Sequence, residues 1–252
     1  MYQQITLLDR LNHFYKKYPV TFIIITINTF MLLLTMMITM FSSTGGSIFS
    51  FSTNTLETLG GMKPEALTNN YQYYRLLTAM FLHGGLFHFL MNMYFLSIIG
   101  KFVERLLGKN KYILIYILSG LGSSLLVWGM SFIFGQESAV TIGASGALFG
   151  LMGALLVLTY KKPMLFGPLA IRSIRTLVVI NLVFSFIPGI SLFGHLGGFL
   201  TGVFLIYILY PMEPTQKTYQ SEQERHNAHY GNIIIDSDDV TDDDIYETKY
   251  TN

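Results

Sequence analysis

TIGASGALFG, residues 141–150, is a run of small residues inside the most apolar half of a 252-residue chain. In a membrane helix such a run lets a neighbouring backbone come close. One hydroxyl, Ser145, is kept between Gly143 and Gly146. Whether that serine does more than fill space depends on what the rest of the chain brings to it.

The chain is 51% hydrophobic and 12% charged, with mean hydropathy +0.46. A soluble domain carries about 25% charged residues, so this balance points to a bilayer. The absence of cysteine excludes a disulfide framework and thiolate metal sites. The first twenty residues are polar and basic. The apolar run behind them has spanning length and no small-residue cleavage pattern, unlike a cleaved signal peptide.

Apolar runs of the length needed to cross as helices predict spans at 20–41, 77–100, 111–134, 145–160, 172–188 and 194–211. Pro19 precedes the first, Pro188-Gly189 breaks the chain between the fifth and sixth, and Pro211 stops the last. The expected fold class is therefore all-α, a polytopic six-transmembrane-helix bundle over 20–211 with a long outer loop at 42–76. That loop becomes aromatic at Tyr71, Tyr73 and Tyr74, which suits the headgroup layer. Residues 1–19 form a cytoplasmic N-terminal segment. Residues 212–252, with ten of the fifteen acidic residues, read as a mostly disordered cytoplasmic tail. Lys and Arg set the orientation: fourteen fall on the side of both termini and only Lys63 and Arg75 on the other. The positive-inside rule makes this a multi-pass protein of the cell membrane with both termini cytoplasmic.

Polar groups inside a bilayer are functional candidates. His83, His88 and His195 fall within or beside spans, and Asn92 shares a helix face with His88. Every even-numbered span runs from outside to inside. His88 and Asn92 in the second, Ser145 opening the fourth and His195 at the second position of the sixth thus share one depth near the outer face. From Ser145 to Tyr160 is sixteen residues, roughly 24 Å of helix against a core of about 30 Å. The serine end should lie below the outer surface, with residues 135–144 dipping inward as irregular backbone around a water-filled cavity.

A serine hydroxyl needs a base, and His195 is the one facing it; no Asp or Glu in the outer part of a span completes a triad. Phe149, one turn after Ser145, can stack on the imidazole. Gly146, Gly150 and Gly153 bare one helix face, and Gly198 and Gly202 another. The oxyanion of an attacked amide can be held by His88, Asn92 and the Ser145 N–H at a helix N-terminus. Each residue alone has a plain structural reading: Ser145 as packing, the histidines and Asn92 as inter-helix hydrogen bonds, Phe149 as core. Their common depth is what those readings leave unexplained. No H-E-x-x-H, P-loop, dinucleotide fingerprint or basic cluster for nucleic acid occurs, His83 and His88 are spaced poorly for a metal pair, and no cofactor is implied. GASGA has Ala147 where the hydrolase elbow G-x-S-x-G needs glycine.

These residues resemble the rhomboid family of intramembrane serine proteases, in its short bacterial six-span form. The family's GxSG reads Gly143-Ala144-Ser145-Gly146; its H-x-x-x-N reads His88 to Asn92, with an upstream histidine at His83. Its last motif, a histidine followed by glycines at plus three and plus seven, reads His195, Gly198 and Gly202. An aromatic-Arg pair reads Tyr74-Arg75 where Trp is common, and Phe149 stands where Tyr is frequent. The resemblance implies Ser145 as nucleophile and His195 as general base and acid. It implies an oxyanion hole of His88, Asn92 and the Ser145 N–H, supporting roles for His83 and Arg75, and the fifth span as lateral gate. The implied partners are the lipid bilayer and single-span membrane proteins, cut at a small residue in a helix that unwinds readily. Two other readings are a catalytically dead relative that binds or traffics proteins, and a small transporter or channel relaying protons through His88 and His195. Missing intramembrane acids and repeat symmetry weigh against the second.

Overall fold

The computed structural model describes residues 6–41, 45–135 and 140–210. The expected tail at 212–252, Pro211 and parts of the first and dipping segments lie outside these residues.

The chain is mostly helical. Helix α1 (Leu7–Lys17) leads almost directly into α2 (Pro19–Phe41), whose Pro19 occupies the first helical position, where a missing N–H costs nothing. A two-stranded hairpin (β1, Gly46–Ser47; β2, Ser50–Phe51) and three short helices follow: α3 (Thr53–Thr58), α4 (Pro64–Asn70) and α5 (Arg75–Thr78). Then come α6 (Leu86–Phe95), a π-helical turn at Leu96–Gly100 and α7 (Lys101–Leu107), forming one continuous rod. Helices α8 (Lys109–Phe134), α9 (Ser145–Lys161), α10 (Pro168–Phe184) and α11 (Leu192–Leu209) complete the bundle.

Among the described residues four helical stretches are long and apolar enough to cross a membrane: Pro19–Phe41, Leu86–Leu107, Lys109–Phe134 and Leu192–Leu209. Helices α9 and α10 have 17 residues each, and α10 carries Arg172 and Arg175. Exposed Phe, Leu, Ile and Val side chains cover the outside of these helices, the pattern of a surface solvated by lipid.

Several boundaries move. The expected span at 77–100 begins nine residues later, at Leu86. Residues 77–85 are apolar because they pack on protein: the Phe51 N–H donates to the Gly84 carbonyl (2.9 Å), and the Leu86 N–H to that of Ile48 (2.8 Å). The hairpin thus seals the start of α6, and His83 lies in irregular backbone before it. Where a fifth span was expected at 172–188 the helix is Pro168–Phe184, and the helix expected at 194–211 starts at Leu192, so His195 is its fourth residue, not its second. The Ser191 hydroxyl caps α11 by accepting from the Gly194 N–H at 3.2 Å. The segment expected as an aromatic loop is folded. Met62 and Leu67 are fully buried in it, and Trp128 of α8 donates its indole N–H to Thr68 at 3.1 Å.

The centre of the bundle is α9, buried along most of its length between α8 and α11. Small residues permit this. A Cβ at Gly146 or Gly150 would strike Ser123 or Ser119 of α8, and one at Gly198 or Gly202 would strike the Gly146 or Gly150 carbonyl. By contrast Val178 is the one buried residue of α10, whose hold on α9 includes Arg175 Nη2 donating to the Thr159 carbonyl (3.1 Å).

At the other end of the molecule, the buried Glu104 carboxylate accepts from the Val20 N–H (2.9 Å), the Thr21 N–H (2.9 Å) and the Thr21 hydroxyl (2.7 Å). It satisfies the open first turn of α2 and complements that helix's positive end. Glu104→Ala orphans these donors at a cost of about 1–3 kcal/mol. A lower midpoint of thermal unfolding in detergent is expected; an unchanged midpoint would show that the cap is dispensable.

Candidate active site

Ser145 is the first residue of α9, so the N–H groups of that first turn have no acceptor within the helix. Residues 140–144 before it are irregular and pinned on both sides. Met62 and Thr141 pair as an antiparallel bridge (3.0 and 2.8 Å), and the Gly143 N–H donates to the Ala79 carbonyl at 2.9 Å. Gly143 has φ +119°, a conformation open to glycine and strained for other residues. A Cβ there would also sit 2.9 Å from His88 Nε2 and 3.6 Å from Ser145 Oγ, so both groups face the same patch of backbone.

The glycine contacts between α9 and α11 set two side chains against each other. His195 Nε2 lies 2.9 Å from Ser145 Oγ. The imidazole stacks on Phe149, with ring centroids 4.0 Å apart and planes at 15°. Its other nitrogen, Nδ1, lies 2.8 Å from Ser185 Oγ, just past the end of α10. Sequence reasoning missed Ser185. A serine among apolar residues at a helix end carries no periodic signal, and its partner is on another helix.

The His88 ring is held by the backbone just before α6. The Gly84 N–H donates to Nδ1 at 3.3 Å, which makes Nδ1 an acceptor and leaves the ring proton on Nε2. Asn92 departs from the expectation: its amide donates to the His88 carbonyl at 2.9 Å, so one of its two N–H groups is taken by its own helix. His83 is 2% exposed and edge-on to His88 (5.1 Å) and Phe89 (5.4 Å). It touches the site through His88 and reaches neither Ser145 nor His195 by a hydrogen bond. Arg75 is farther still, holding the folded segment together through the carbonyls of Glu57 (2.6 Å) and Gly61 (2.8 Å) and the side chain of Gln72 (2.6 Å).

Beside Ser145 is a small cavity with room for a water, lined by Ser123, Ser124, Thr141, Ser191 and His195, by four glycines and by the apolar Ala79, Met80 and Ile142. A hydroxyl, an imidazole at hydrogen-bond distance from it, a second imidazole nearby and a small cavity with room for a water are parts an acyl transfer can use.

Residues 70–212, more than half of the chain, match the family model described as the Rhomboid domain. The chain belongs to the rhomboid family. It is a multi-pass membrane protein. Over 164 residues it is 40% identical to RHOMBOID-like protein 6, mitochondrial, of Arabidopsis thaliana, covering 63% of this chain and 50% of that one. Over 156 residues it is 37% identical to Rhomboid protease GluP of Bacillus subtilis, covering 61% of this chain and 29% of the other. It is also 35% identical over 152 residues to Inactive RHOMBOID-like protein 8 of Arabidopsis thaliana, covering 60% and 42%. This rhomboid spans about half the length, or less, of the curated relatives it matches.

Proposed function

We propose that this rhomboid is an intramembrane serine endopeptidase in which Ser145 is the nucleophile and His195 the general base and acid. The observation that carries the reading is the 2.9 Å approach of His195 Nε2 to Ser145 Oγ, two groups fifty residues apart in sequence. As Oγ bonds to the scissile carbonyl carbon, the hydroxyl proton passes to Nε2 and the carbonyl electron pair moves to oxygen. That oxyanion is received by the Nε2–H of His88, the remaining N–H of Asn92 and the Ser145 backbone N–H. Collapse breaks the C–N bond, and the imidazolium proton goes to the leaving amine. A water in the cavity, activated by the same imidazole, then releases the acyl group from Ser145.

In this reading the chain crosses the cell membrane six times with both termini cytoplasmic, the orientation that fourteen basic residues against two favour. Cleavage then occurs near the outer face. Substrates are single-span membrane proteins whose segment unwinds readily, because a peptide bond inside a stable helix is shielded by its own hydrogen bonds. The narrow, glycine-walled cavity favours a small side chain at the cut. Helix α10, with so little of it buried, is the natural lateral gate. Gly143, Gly146, Gly198 and Gly202 hold the backbones close, Phe149 seats the imidazole, and His83 and Arg75 support the entrance. No metal or organic cofactor enters any step.

The relative named inactive favours a second reading, a binding factor without catalysis. Co-expression with a tagged single-span reporter separates the two. The wild-type chain should produce the cut fragment and Ser145→Ala should leave the reporter whole; cleavage that persists in Ser145→Ala would reject the protease.

A further inference from the structure

We propose that Ser185 is a positioning residue for the base: it fixes the tautomer and the orientation of His195 from α10. The inference rests on the reading of His195 as base and deepens it.

The Ser185 hydroxyl has a single hydrogen, and it donates that hydrogen to the Asn181 carbonyl at 2.9 Å. Toward His195 its oxygen can therefore only accept, so the 2.8 Å contact is Nδ1–H donating to Ser185 Oγ. With the proton held on Nδ1, the lone pair of the neutral ring is on Nε2, facing Ser145 Oγ. The result is one directed chain from the Ser145 hydroxyl, through the imidazole and the Ser185 hydroxyl, to the backbone of α10. Ser185 is 1% exposed, so water does not compete for the contact. The same oxygen also favours the imidazolium that forms when Ser145 gives up its proton.

A carboxylate does this work in many serine hydrolases; here, among the described residues, no Asp or Glu is hydrogen-bonded to His195, and a neutral hydroxyl occupies the place. Phe149 fixes the plane of the ring but, lying flat against it, cannot choose between its nitrogens. Ser185 supplies the choice. It also ties the base to α10, so the base loses its orienting partner whenever the end of α10 moves away.

The test compares Ser185→Ala, Ser185→Thr and Ser185→Val in detergent, measuring kcat and KM on a single-span reporter and the rate of fluorophosphonate labelling. Thr and Val have the same shape and differ in the hydroxyl. We expect Val and Ala to lower kcat and labelling by about tenfold or more with KM little changed, and Thr to keep most of the wild-type rate. The proposal is overturned if Val and Ala keep the wild-type kcat, or if Thr is as slow as Val, which would reduce Ser185 to packing. Labelling counts only folded sites and so reads the same comparison in a variant that folds poorly. Failure of the underlying reading looks different: wild type itself neither cleaves nor labels, or labels equally as His195→Ala.

Discussion

His195→Ala should lower kcat for a single-span reporter by on the order of 10⁴-fold, with KM much less affected. Without the imidazole nothing within 2.9 Å accepts the Ser145 proton, and a neutral alcohol at membrane depth is a poor nucleophile. Nor is there a group to protonate the leaving amine, so both chemical steps slow together. Ser145→Ala should cost at least as much. The two act as a unit, so the double variant should be no slower than the worse single one. Losses that multiply in the double variant would show that the two residues contribute separately, and a His195→Ala protein within tenfold of wild type would remove the base from the mechanism.

Gly198→Val is expected to be the most damaging single change away from the reacting atoms. A Cβ at Gly198 would lie 2.7 Å from the carbonyl carbon of Gly146 and closer still to its oxygen. Those atoms are backbone in the first turn of α9 and cannot rotate aside as a side chain can, so α9 and α11 must separate. Overpacking of this kind costs about 1–3 kcal/mol even where neighbours can shift, and here they cannot. Separation also pulls His195 from Ser145, because those two residues open the same pair of helices. Lower thermal stability in detergent and loss of probe labelling should therefore appear together. Gly129→Ala is the control: a Cβ there meets nothing within 4 Å, and alanine is the better helix former. Equal stability of the Gly198→Val and Gly129→Ala proteins would contradict the close-packed seam.

How much of this was legible in the sequence follows from where the information lies. Helix periodicity placed Phe149 one turn from Ser145, and the alternation of spans placed Ser145 and His195 at one depth; both are counts along the chain. Glycine spacing announced the α9–α11 seam for the same reason. The start of α6 was misplaced because hydropathy does not separate residues facing lipid from those facing protein. Phe81 packs against the core and Leu82 is fully buried, so both apolar residues read like part of a span. The short helices of the 45–78 segment were hidden because they are held by tertiary contacts, such as Arg75 on two carbonyls, more than by local pattern. Asn92 lost one donor to its own helix, a rotamer choice outside the reach of spacing. Ser185 was invisible for a different reason: its meaning lies in a hydrogen bond to another helix and in the direction of one proton.

Mass spectrometry of the protein after reaction with a fluorophosphonate tests the pairing of Ser145 with His195 most directly. A single covalent adduct on the peptide containing Ser145 is expected, forming in wild type and falling to background in His195→Ala. An adduct on a different residue, or labelling of Ser145→Ala at the wild-type rate, would contradict it.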